Sequence, residues 1–172
     1  SSIYIFYTTN GEQSFQSNAE VRKVRNSEAI SAMTRNGIKK ENIFFLSQEL
    51  PGTDQLLHYY ANEILQNISF ETKKLIEPNI ILFPSNEGGH PDHDVTNLIV
   101  RLFGQTLNRM PNAYEYCLYS LSNRPFRFNI AHPEVLTPNT IQIKFPRIKI
   151  FNVIKLMLNY NSQRKTFLLL GP

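Results

Sequence analysis

The chain has one cysteine, Cys117, which excludes an intrachain disulfide and any paired-cysteine zinc or redox site. Within YEYCLYSL, a strand-like stretch, that residue reads as a small packed hydrophobe. No apolar run approaches the roughly 20 residues a helix needs to span a bilayer. No secretory leader opens the sequence either, so a cytoplasmic location is the expectation. GxGxxG and P-loop patterns are missing, which argues against a nucleotide-binding domain. RNP, helix-turn-helix and zinc-finger patterns are missing as well, and no nucleic-acid partner is expected. Neither internal repeats nor a low-complexity linker break the chain.

What remains is ordinary globular material. With 172 residues, 41% hydrophobic and 19% charged, the chain fits a single domain over 1–172 with a real core. The net charge of +4 comes from lysines and arginines scattered from Arg22, Lys23 and Arg25 to Arg164 and Lys165. Such scatter describes a solvated surface.

Strand and helix patterns alternate along the chain. IYIFYTT (3–9) is rich in β-branched and aromatic residues and stops at Asn10-Gly11, so it predicts a strand and a turn. A helix is expected from Asn18 to about Asn36, where Gly37 offers a stop. On its inward stripe, Val21, Val24 and Ala32 share a face with Arg25 and Glu28. IFFL (43–46) reads as a second strand, and Leu57, Ala61, Ile64 and Leu65 predict a helix over about 54–67. A short helical piece around ETKKLIE then leads to NIILFP (79–84), a continuous apolar run that suits a central parallel strand. Val95, Leu98, Ile99, Leu102, Phe103 and Leu107 form one apolar helix face. YEYCLYSL and IQIKFP read as later strands, and a last helix is expected around 147–160. Together these βαβ units imply an α/β fold with an open, mainly parallel, Rossmann-like sheet and helices on both faces.

The segment SNEGGHPDH (85–93) lies where an apolar strand hands over to a helix, the position at which open α/β sheets gather ligands. Gly88 and Gly89 permit a sharp turn, and Pro91 suits the first helical turn. Asp92 and Asp94 then fall where the helix dipole favours negative charge. His90 and His93 would project into the same cleft. An imidazole there can coordinate zinc, donate to a developing oxyanion or act as an acid or base near neutral pH. The plainer alternative has one of them cap the helix. Arg25 and Glu28 also admit two readings: an i,i+3 ion pair on a helix edge, or a pair at the rim of the cleft that meets substrate.

Several stretches occur in a telling order: TTNGE after a strand, Val24-Arg25 with Glu28, FFLSQELPGTD, PNIILFPSNEGGHPDH, and YNSQ at 160–163. This order resembles the LmbE-like, GlcNAc-phosphatidylinositol de-N-acetylase family of zinc-dependent enzymes. The resemblance covers nearly the whole chain, with HPDH and Arg25–Glu28 its specific parts. It implies a Rossmann-like sheet and a Zn2+ cofactor. It also implies removal of an N-acetyl group from an N-acetylglucosamine-type small molecule, glycan or glycolipid. By the same resemblance His93 is a zinc ligand, His90 stabilises the oxyanion and Asp92 orients an imidazole. Arg25, with Glu28 in the substrate-binding set, contacts the sugar or its aglycone. The family's first motif, Ala-His-Pro-Asp-Asp-Glu, should end a strand ahead of IYIFYTT, so the chain is expected to be incomplete at its N-terminus. A non-catalytic sugar-binding domain derived from the fold is the alternative. Ala131-His132-Pro133-Glu134 echoes the motif without its paired carboxylates and reads as a loop, and His58 reads as a surface residue.

Overall fold

A computed structural model describes residues 2–12, 18–75, 77–86, 88–109, 111–117, 119–120, 129–130, 141 and 148–163. Two βαβ crossovers organise it. In the first, β1 (Ile5–Tyr7) runs into α1 (Ala19–Arg35) and returns as β2 (Ile43–Phe45), parallel to β1. In-register pairing stacks Phe6 on Phe44 at 4.8 Å and Tyr7 on Phe45 at 5.0 Å between ring centroids. Strands this short gain much of their register from such aromatic pairs. In the second crossover, β3 (Ile80–Pro84) leads through α3 (Pro91–Gln105) to β4 (Asn112–Tyr116), again parallel. A small antiparallel pair, β5 (Tyr119–Ser120) with β6 (Asn129–Ile130), follows, and α4 (Ile148–Met157) comes last.

The helix ends follow from local chemistry. Asn18 caps α1, its side-chain oxygen accepting from the Val21 amide at 3.1 Å, which satisfies one of the orphan donors of the first turn. At the other end Gly37 takes φ +86°, and the Gly37 and Ile38 amides donate back to Thr34 and Met33. That is the Schellman closure expected of a glycine just past a helix.

The core lies between α2 (Ala61–Thr72) and α3, where Ile64 and Ile68 meet Ile99 and Phe103, with Leu46 and Leu57 completing the cluster. It is narrower than the α3 pattern implied. Ile99 and Phe103 are buried, but Leu98 and Leu102 face outward. On α1, likewise, Glu28, Ala29 and Ala32 are buried while Val24 is exposed.

Two expectations need correction. The helix over 54–67 begins at Ala61 and is preceded by a 3-10 turn at Leu57–Tyr60. The cause is non-local: the Gln55 and Leu57 amides donate to the Asp92 carboxylate, and Gln55 sits at φ +64°, where no helix can pass. NIILFP is also not buried on both faces. Phe83 is packed, whereas Ile80 and Leu82 are 58% and 67% exposed, because α3 packs on this strand and the opposite face stays open. Among the described residues the strands form three two-stranded sheets and not one continuous open sheet. Most of IQIKFP, and His132, lie outside the described residues.

Candidate active site

The turn after β3 is set by Gly88, at φ +64°, whose amide donates to the Asp94 carboxylate at 3.2 Å. His90 then adopts an extended backbone and caps α3, with Pro91 in the first helical position. Its Nδ1 accepts from the Asp92 amide at 3.3 Å. The capping alternative for one histidine is therefore realised at His90. This bond also fixes the chemistry of the ring, because a neutral imidazole that accepts at Nδ1 carries its proton on Nε2. The His93 ring stacks on His90 with centroids 4.9 Å apart.

Asp92 is buried, and its two oxygens accept from the Gln55 amide at 2.7 Å and the Leu57 amide at 3.3 Å. Burial pushes its carboxyl above the usual carboxylate range. The Gln55 and Leu57 amides and His90 pull it down less strongly, and Asp54 adds to the rise. His90 Nδ1 lies 4.0 Å from Asp92 Oδ2.

Asp54 is not legible from the sequence, where it only opens the helix expected over about 54–67. It follows the end of a parallel strand by a short loop, the one local sign that it belongs near a site. The loop brings it against the α3 turn, so that Asp54, His90 and Asp92 each place one ligand atom within 4.8 Å of the others. One imidazole and two carboxylates are a donor set suited to a divalent cation such as zinc. Ligands about 2.1 Å from a tetrahedral ion stand about 3.4 Å apart, so these side chains would have to close by up to about 1.4 Å to hold one.

The end of β1 is stitched to the same loop. The Asn10 amide donates to Thr53 Oγ1 at 2.9 Å, and the Thr53 amide donates back to Asn10 Oδ1 at 3.3 Å. Glu12, fully buried, accepts from the Asn18 and Gly52 amides, both at 3.2 Å, and pairs with Arg22. Arg25 donates through Nη1 to the Gly11 carbonyl. Gly11 has φ +63°, and a Cβ there would meet Arg25 at 3.1 Å, so this approach requires glycine. Hydrogen bonds thus run from Arg25 through the 10–12 and 52–57 loops to Asp92.

Glu28 goes elsewhere. Its oxygens accept from the Ser162 amide at 2.9 Å and the Ser162 hydroxyl at 2.6 Å. Arg25 and Glu28 therefore take separate partners, Gly11 and Ser162, instead of forming the i,i+3 ion pair. The structure brings Asp54, His90 and Asp92 together and stacks His93 on His90, while Arg25 of α1 rests against the neighbouring Gly11 loop.

A mixed α/β scaffold carries imidazoles and carboxylates at the carboxyl end of a parallel strand, an arrangement that can hold a metal ion. The chain belongs to the GlcNAc-PI de-N-acetylase (PIG-L) family, whose model matches residues 1–103 and so takes in β1 through most of α3. No curated protein and no solved structure matches the chain.

Proposed function

We propose that the protein is a zinc-dependent hydrolase that removes the N-acetyl group from an N-acetylglucosamine-type sugar conjugate on a Rossmann-like α/β domain. The observation that carries this reading is the approach of Asp54 to the His90–Asp92–His93 turn, inside the stretch the family matches. His93 is the proposed zinc ligand. His90 is the oxyanion donor, because its Nδ1 is engaged by the Asp92 amide and Nε2 is left to donate. Asp92, anchored by two backbone amides, holds the loop and the imidazole in place. Zinc, when bound, supplies Lewis acidity to the amide carbonyl. Arg25, held on the Gly11 carbonyl, would meet a sugar hydroxyl beyond that loop, whereas Glu28 would have to share oxygens already given to Ser162.

The test is a zinc titration followed by deacetylation of an N-acetylglucosamine conjugate, with and without chelator. Loss of zinc binding is expected in His93→Ala, and loss of turnover with zinc retained is expected in His90→Ala. If Asp54→Ala abolishes zinc binding and His93→Ala does not, the ion sits among Asp54, His90 and Asp92. Sugar binding that ignores chelator, without turnover, would mark a binding domain instead.

A further inference from the structure

The charge of the chain is segregated in a way its overall balance hides. From Val135 to Pro172 there are six basic residues (Lys144, Arg147, Lys149, Lys155, Arg164 and Lys165) and no Asp or Glu. Since the whole chain is +4, residues 1–134 carry a net −2. The basic region contains α4, and α4 displays an unusual surface. Phe151, Ile154 and Leu158, spaced i, i+3 and i+7, are 68%, 46% and 53% exposed. Lys155, also exposed, lies one turn from Phe151.

This helix is fastened to the body at its C-terminal end. Ser162 donates twice to Glu28, Arg35 donates to Asn159, and Tyr160 bonds the Tyr7 side chain on β1. The apolar stripe is therefore displayed on a helix docked to the protein. A soluble surface gains nothing from a phenylalanine, an isoleucine and a leucine aligned in water, and aligned stripes of this kind mark interaction sites. An aromatic and aliphatic stripe flanked by lysine within an acid-free segment is the chemistry of a helix that lies in a lipid interface. Nucleic acid would take the charge but would leave the stripe in water.

We propose that α4 is a peripheral docking face for an anionic bilayer surface. The apolar stripe enters the headgroup boundary, and Lys155 beside it meets acidic lipid. This inference rests on α4 and the acid-free sequence around it, so it stands or falls independently of the deacetylase reading.

The experiment is flotation of the full chain with vesicles of phosphatidylcholine alone or with about one third phosphatidylserine, at low and high salt. Binding about tenfold tighter to the anionic vesicles is expected, weakening as salt rises. Phe151→Ser with Leu158→Ser should lower it about tenfold or more. Lys155→Glu should lower it about fivefold or more, and it carries the test if the double variant fails to fold. Leu82→Ser, at a still more exposed leucine on β3, should change nothing. Equal binding to both vesicle types, or equal loss with Leu82→Ser, overturns the proposal. A dimer in solution that the α4 substitutions dissolve, with no vesicle binding, would assign the stripe to a second copy of the chain.

Discussion

The two crossovers share one topology and are held in opposite ways. The β3–α3–β4 unit packs by apolar contact, with Ile99 and Phe103 buried against Ile64 and Ile68 of α2. The strands of the β1–α1–β2 unit reach the same core through Phe6 and Phe44, but its helix buries two alanines and a glutamate and is attached by polar contacts. Glu12 joins Arg22, the start of α1 and the Gly52 amide, and Glu28 joins Ser162. An apolar contact forgives small shifts, whereas a buried carboxylate with three partners admits few geometries. The polar half is the one that adjoins the loop bearing Asp54. The comparison teaches that stability and positioning are divided between the halves.

Substitutions can break that division. Glu12→Ala removes the ion-pair partner of Arg22 and the acceptor of two buried amides, and it is expected to cost about 3 kcal/mol, the lower end for removing one partner of a buried ion pair. Phe103→Ala should cost about the same through its cavity. Urea denaturation reads both, and a Glu12→Ala loss below about 1 kcal/mol would show the first unit to be merely appended. Asp92→Ala leaves the Gln55 and Leu57 amides without acceptors, for an expected loss of about 2–4 kcal/mol. Hydrogen exchange should show those two amides opening first.

Asp92 also makes stability depend on pH. Its carboxyl is raised in the folded chain, so the folded state keeps that proton at pH values where the unfolded state has lost it. Stability therefore falls as pH rises from the ordinary aspartate value near ~3.9 through the folded one. Asp92→Asn should flatten this part of a Tm-against-pH curve. The smallest effect belongs to Glu28→Ala, about 1–2 kcal/mol, with faster amide exchange at Ser162 as its local sign.

Legibility in the sequence followed the range of the interaction. Asn18, Gly37, Pro91 and the HPDH junction act within a turn of themselves, and the corresponding helix ends were found to within a residue or two. The GGHPDH stretch, separated from NIILFP by three residues, is thus a cap, a turn and a candidate site at once. The oddity of a charge at Glu28 on an inward stripe was visible, but its partner Ser162 is 134 positions away. Asp54 was invisible for a similar reason: its place depends on Gln55 being turned to positive φ by a carboxylate 37 positions later. The outward face of β3 escaped because apolarity alone does not say how many faces a neighbour will cover.

The Asp92 carboxylate has one further consequence, which concerns the order of assembly. It belongs to the first turn of α3 and yet holds the backbone of the loop that follows β2. A chain in which α3 has formed but has not met that loop has His90 and His93 and lacks Asp54. Asp54 can join His90 and Asp92 only after some 35 residues of intervening chain have been closed, an entropic step that short-range helix formation does not require. The candidate site is therefore a late product of folding, present when the two halves have docked and absent from any partly folded form.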